Sequence, residues 1–157
     1  MKFHCKTLVA LALAVTPAAA QPAAKTSQHA RVGQLAELMF QRGAIALPIG
    51  SERELGEIAA WAKQNPEGLV VVEGHADRAG PQALNLTIST RRAESVVAQL
   101  LVLGIDREQI VVASYGESRA GRRVIVWGTR SPYDALEVQL RARGAQIVQT
   151  SNLMARR

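Results

Sequence analysis

A chain of 157 residues, 48% of them hydrophobic, has the length of one domain and enough apolar side chain for a core. Its formal charge is +6, but only 4% of residues are aromatic and they are not interleaved with the basic ones, which argues against nucleic-acid binding. The one cysteine, Cys5, stands ahead of any globular sequence, so the remainder carries no disulfide and no thiolate metal site.

Lys2 and Lys6 precede a short apolar run, Leu8 to Val15, which Pro17 breaks before the small residues Ala18-Ala19-Ala20. This pattern predicts a secretory signal peptide over residues 1–20, with an apolar run too short to span a bilayer. Cys5 lies before that run, where a lipoprotein signal would need it after. Cleavage would remove Cys5 and two positive charges and leave no transmembrane segment. Residues 21–33 are small and polar and read as a linker. From Val32 to Phe40 the pattern is mixed, since Leu35, Leu38 and Met39 suit a helix or a strand. Gly43, Pro48 and Gly50 mark Gln41 to Gly50 as a loop.

Ser51 opens a helix, because Ser51-x-x-Glu54 has capping-box spacing and Leu55, Ile58, Ala59 and Ala62 form one stripe. Asn65-Pro66-Glu67-Gly68 ends it. Leu69 to Val72 is a continuous β-branched run, expected to be a strand covered on both faces. After Gly74-His75-Ala76-Asp77-Arg78-Ala79-Gly80, Pro81 suits the first turn of a helix that runs to Leu103, with Gly104 as its C′ residue. Ile110 to Ser114 and Arg123 to Trp127 are two more strands. The order is strand, helix, strand, helix, strand, strand, the pattern of an α/β fold with helices layered on a mixed sheet (an α+β sandwich). Beyond it, Ser131-Pro132 starts a further helix over about 132–143, with Tyr133, Leu136 and Leu140 on one face. Gln146 to Gln149 suits a short terminal strand.

The long central helix carries an unusual inner face. At 100° per residue, Ala93, Val96, Leu100 and Leu103 share one arc, and Asn85, Ser89 and Arg92 fall within or beside it. Arg91, Thr90 and Glu94 point elsewhere. An inward arginine needs a partner, and Asp77 leaves the neighbouring strand where this helix begins. Two readings follow: a structural Asp77–Arg92 salt bridge, or a cleft lined by acid, amide, hydroxyl and guanidinium for a ligand with both ammonium and carboxylate.

Gly74-His75-Ala76-Asp77-x-x-Gly80, Asn85, Ile88-Ser89, Arg91-Arg92-Ala93 and Val96 together resemble the signature of the OmpA-like peptidoglycan-binding domain, the type found in OmpA, Pal and MotB. Gly104-Ile105, Tyr115-Gly116-Glu117 and Arg122-Arg123-Val124 continue the match, which covers roughly Leu35 to Trp127. The resemblance implies a βαβαβ-β domain at 34–128, with helices packed on one face of the sheet and a strand near Glu37 to Phe40. Residues 129–157 would be an added C-terminal extension. It also implies a ligand, the diaminopimelate of a peptidoglycan stem peptide. Asp77 would pair with the ammonium and Arg92 with the carboxylate, with Asn85, Ser89 and Gly80 beside them and Arg122 and Arg123 as further candidates. The implied role is non-catalytic anchoring of an envelope component to the cell wall from the periplasm, with peptidoglycan and outer-membrane or envelope-complex proteins as partners. The sequence departs from the family in the connection Ser118-Arg119-Ala120-Gly121, which is shorter than usual. That feature supports the alternative of an interaction or structural module that kept the fold without the ligand.

No catalytic constellation emerges: there is no Gly-x-Ser-x-Gly elbow, no phosphate loop and no retained thiol. His75-x-Asp77 offers two metal ligands without a third, so His75 reads as a packed strand-end histidine. No cofactor is expected.

Overall fold

A computed structural model describes residues 31–148. The expected signal peptide, Cys5 and most of the segment read as linker lie outside the described residues, as does the tail from 149. The first strand, β1 (Arg31–Met39), begins inside the segment read as linker and is longer than the Glu37–Phe40 strand expected from the resemblance. Two register irregularities, between Arg31 and Gly33 and between Gln34 and Ala36, interrupt its pairing. They explain the mixed pattern. Alternation is clean only from Ala36 onward, where Ala36, Leu38 and Phe40 turn inward and Glu37 and Met39 outward.

Helix α1 (Glu52–Gln64) buries the expected stripe of Leu55, Ile58, Ala59 and Ala62. The capping box does not form. Ser51 has φ −79° and ψ 0°, outside the extended geometry that aims a cap side chain at the helix amides, and its hydroxyl donates to Pro48 O instead. Strand β2 (Leu69–Ala76) then crosses the sheet to α2 (Gln82–Val102), with Pro81 in the N-cap position, just ahead of the predicted first turn. The end of α2 is as the sequence suggests. Gly104 has φ +82°, and Ile105 N donates to Leu100 O in a Schellman closure. A 3-10 turn (Arg107–Gln109), β3 (Ile110–Glu117), β4 (Arg123–Thr129), α3 (Tyr133–Ala142) and β5 (Gln146–Val148) complete the described chain.

The sheet order is β1-β4-β2-β3-β5. β2 and β3 are parallel, and the other neighbours are antiparallel, giving a mixed sheet. Alternate residues of the central strands feed two cores. Val70, Val72, Ile110, Val112, Val124 and Val126 pack with α1 and α2 on one face. Val71, Val111, Ala113 and Trp127 pack with Leu136 and Leu140 of α3 on the other. The two-sided burial expected of the valine run is therefore supplied by the C-terminal helix. Tyr133 departs from the predicted stripe. As the first residue of α3 it overhangs the packed turns and stays 42% exposed, while Leu136 and Leu140 are buried.

Gly74 sets the distance between α2 and the sheet. A Cβ at that position would stand 2.1 Å from Ser89 O. Only glycine lets the helix backbone lie this close, and the approach places the start of α2 over the end of β2.

Candidate functional site

Three loops meet at the end of the sheet where β2 and β3 finish and β4 begins. Ala76 is paired with Glu117, and Met39 with Arg123, so the ends of β1, β2 and β3 lie together. The short Ser118–Arg122 connection is stitched on both sides: Ser118 N donates to Ala76 O at 3.1 Å, and Phe40 N donates to Arg122 O at 2.8 Å. This turn brings Arg122 over the first residue after β2.

Asp77 consequently pairs with Arg122, not with Arg92. Arg122 Nη1 stands 3.1 Å from Asp77 Oδ2, and the side chains are 40% and 33% exposed. The structural Asp77–Arg92 salt bridge, one of the two readings of the inward arginine, is not formed, and Arg92 is instead held beneath the surface by backbone. Its Nε donates to Ala44 O at 2.8 Å, Nη1 to His75 O at 3.1 Å and Nη2 to Gln41 O at 3.4 Å. Its guanidinium lies 5.5 Å from the Phe40 ring centroid, and the residue is only 1% exposed. Burial pushes the Arg92 pKa below its ordinary value; the Asp77 charge opposes that shift and Arg122 adds to it. Asp77, Arg92 and Arg122 therefore form one electrostatic cluster with a buried and a solvent-facing cation.

The other predicted residues separate by depth. Gly80, at φ +106°, is exposed in the loop and its carbonyl accepts from Asn85 Nδ2 at 3.3 Å. Asn85 Nδ2 also lies 3.5 Å from Glu117 Oε2, and its Oδ1 is buried without a partner. Ser89 is fully buried. Its Oγ donates to Leu86 O at 2.8 Å and accepts from Gly116 N at 3.0 Å, bolting α2 to β3. Arg123 turns away to pair with Glu37 of β1. Asp77, Gly80, Asn85 and Arg122 are thus brought together, Arg92 lies beneath them, and Ser89 and Arg123 belong to the frame.

One buried charge was not singled out from sequence. Glu73 is 2% exposed on the α3 side of β2, where Arg143 reaches it at 2.9 and 3.3 Å and Tyr115 OH at 3.3 Å. His75 stacks on Tyr115 at 4.9 Å, its Nδ1 2.8 Å from Ser118 Oγ, and Arg143 covers the other aromatic contact at 5.4 Å. A glutamate directly after three valines is the signal that would have found it. Burial by itself would raise the Glu73 carboxyl; the neighbouring His75 imidazole, with Nε2 3.9 Å from Oε2, the Arg143 charge and bonds from Trp127 and Arg143 outweigh it and hold the pKa below the ordinary 4.5. With a folded-state pKa below the unfolded one, the network's stabilisation is complete above 4.5 and is lost as pH falls through the folded value. Thermal melts from neutral to strongly acidic pH should show wild type losing more melting temperature than Glu73→Gln.

Among the described residues no group of three His, Cys, Asp or Glu is placed to hold a metal, and no helix is long and apolar enough to cross a membrane.

The model of the OmpA family matches residues 39–124, which contain Asp77, Gly80, Asn85, Ser89, Arg92, Arg122 and Arg123. Over 61 residues the chain is 38% identical to the peptidoglycan-associated lipoprotein of Legionella pneumophila, covering 39% of this chain and 35% of that one. It is 29% identical over 82 residues to the Mesorhizobium japonicum protein of the same name, covering 52% and 49%. The chain thus spans about half or less of the length of these relatives. In fold it is similar to the peptidoglycan-associated lipoprotein from Burkholderia pseudomallei, with TM-score 0.55 and 22% identity over 59% of this chain and 88% of that one. It is likewise similar to a putative MotB-like protein from Desulfovibrio vulgaris, with TM-score 0.51 and 24% identity over 61% and 70%. On the match over residues 39–124 and the sheet and helices that carry it, this chain belongs to the OmpA family.

Proposed function

We propose that this domain binds peptidoglycan without catalysis and anchors an envelope component on the periplasmic side, as the names of its relatives suggest. The ligand is the diaminopimelate of the stem peptide. Its ammonium pairs with Asp77 and its carboxylate with the guanidinium side of the Asp77–Arg92–Arg122 cluster, while the Asn85 amide and the Gly80 loop frame it. The observation that carries this reading is Asp77 itself: a carboxylate one-third exposed, at the sheet end where three loops converge, and within the field of two arginines. A carboxylate so placed can exchange a surface ion pair for a ligand ammonium at little net cost, because exposed pairs contribute only about 0–1 kcal/mol.

Co-sedimentation with purified sacculi tests the reading. Wild type is expected in the pellet, and Asp77→Ala, with unchanged circular dichroism, at roughly a tenth or less of that level, the loss of one charge-assisted bond. Equal retention of both proteins would remove diaminopimelate recognition by Asp77. The second reading, an interaction module, is favoured by the burial of Arg92 and its three hydrogen bonds to backbone carbonyls. It predicts no retention of either protein.

A further inference from the structure

We propose that the C-terminal extension is a strap that steadies the turn between β3 and β4 from the far face of the sheet, with Arg143 acting on Ser118 through Glu73, Tyr115 and His75. The inference concerns the extension and stands whatever Asp77 binds.

The turn has little with which to hold its own position. None of Ser118, Arg119, Ala120 and Gly121 is buried, and Gly121 sits at φ +74° with open space where a Cβ would be. Main-chain bonds close it, from Ser118 N to Ala76 O at 3.1 Å and from Gly121 N to Ser118 O at 3.2 Å. The Ser118 hydroxyl adds a side-chain tie to the sheet. Its Oγ lies 2.8 Å from His75 Nδ1 and accepts from Ala120 N at 3.2 Å.

His75 in turn is oriented by its neighbours. It is 5% exposed and stacks on Tyr115 with 7° between the ring planes, while its Nε2, which has no hydrogen-bond partner, lies 3.9 Å from Glu73 Oε2. One residue of the extension holds both neighbours. Arg143, the C-cap of α3, donates to the two Glu73 oxygens at 2.9 and 3.3 Å and sets its guanidinium 5.4 Å from the Tyr115 ring centroid. A planar fork can bond a carboxylate and cover an aromatic face at once. Packing puts Arg143 there. Leu136 and Leu140 lie in the second core, and β5 pairs with β3 from Val112 to Ser114, just below Tyr115. Residues 133–148 fall outside the span that matches the family model, so this support is supplied from beyond it. The Arg143 side chain is 41% exposed. An acid that draws it from Glu73 therefore slackens the turn, and by linkage whatever orders the turn favours docked α3.

Amide hydrogen exchange of the full chain, read residue by residue by NMR, tests this. Arg143→Gln is expected to accelerate Ala120 and Gly121 by roughly fivefold or more relative to Val71 and Val112, the value of about one hydrogen bond. Arg143→Lys should accelerate them less, since the charge remains and the fork is lost. Ser118→Ala cuts the relay, so adding Arg143→Gln to it should leave Gly121 no faster than Ser118→Ala alone. Turn amides at wild-type rates in Arg143→Gln would overturn the proposal. So would acceleration only in step with Val71 and Val112, which is a general loss of stability, or an undiminished effect in the Ser118→Ala background. Should Arg143→Gln fail to fold, with Glu73 left as a buried charge without its partner, Tyr115→Leu carries the test. It parts His75 from Arg143 while the Arg143–Glu73 pair remains, and the same selective acceleration is expected; unchanged turn amides there would equally refute the strap.

Discussion

Gly74→Ala is expected to destabilise the domain by roughly 3 kcal/mol or more, at the upper end of what overpacking a core costs. The added Cβ would meet Ser89 O at 2.1 Å and Ser89 C at 2.9 Å, both backbone, with the Ala93 methyl at 3.2 Å. A side chain could rotate away; main chain in the middle of a 21-residue helix cannot. Relief therefore requires α2 to lift off β2. That movement strains the Ser89–Gly116 hydrogen bond and the Thr90–Ser114 bond at 2.8 Å, which lock the helix to β3. It also shifts Asn85 relative to Asp77, so the proposed peptidoglycan binding should fall even in the fraction that stays folded. The matched control is Gly56→Ala, where a Cβ meets nothing within 4 Å on an exposed face of α1. Helix propensity predicts a gain there of about 0.5–1 kcal/mol. Urea unfolding of the two variants should move the midpoint in opposite directions, and a Gly74→Ala midpoint equal to wild type would show that the close approach is not required.

What the sequence reveals and what it conceals follow from one distinction. Periodicity reports which face a residue occupies, and on that point α2 was legible: the arc that holds Val96 and Leu100 also holds Asn85, Ser89 and Arg92, and all five are buried. The valine run likewise announced burial on both sides, and α3 supplies the second side. Partners are a different matter. Arg92 is bound by the carbonyls of Gln41, Ala44 and His75, and a carbonyl leaves no mark in the sequence because every residue has one. The expected acid partner went instead to Arg122, whose position depends on a tight turn closed by main-chain bonds. The same limit applies at Ser51. Spacing identified the helix start correctly, but local dihedrals sent the hydroxyl to Pro48 O and not to the helix amides. In β1 the interrupted register masked alternation, so propensity alone could not separate strand from helix.

Arg92→Met is the second large effect, and its sign depends on two opposed terms. Removing the guanidinium ends the desolvation of a buried cation that no carboxylate bonds directly, which by itself would favour the variant. It also leaves three main-chain acceptors without their donor, and a buried acceptor left unpaired costs roughly 1–3 kcal/mol. The acceptors are not equivalent. Gln41 is exposed and Ala44 half-buried on an outer loop, so water can replace the guanidinium there if the loop opens. His75 O lies at the end of a buried strand and has no such recourse. Opening of the loop therefore limits the penalty, and the net loss should be about 2–4 kcal/mol, with unpaired backbone outweighing relieved desolvation. The signature is local. Amide hydrogen exchange from Gln41 to Gly50 should accelerate well beyond the change in β2 and β3, because those residues lose their tie to α2 while the valine core remains. Arg92→Lys should fall between the two, since one ammonium keeps the charge but cannot span three carbonyls as a planar fork does. Uniform acceleration across the sheet and loop would instead mean that Arg92 supports the core as a whole and does not selectively hold the wall beside Asp77.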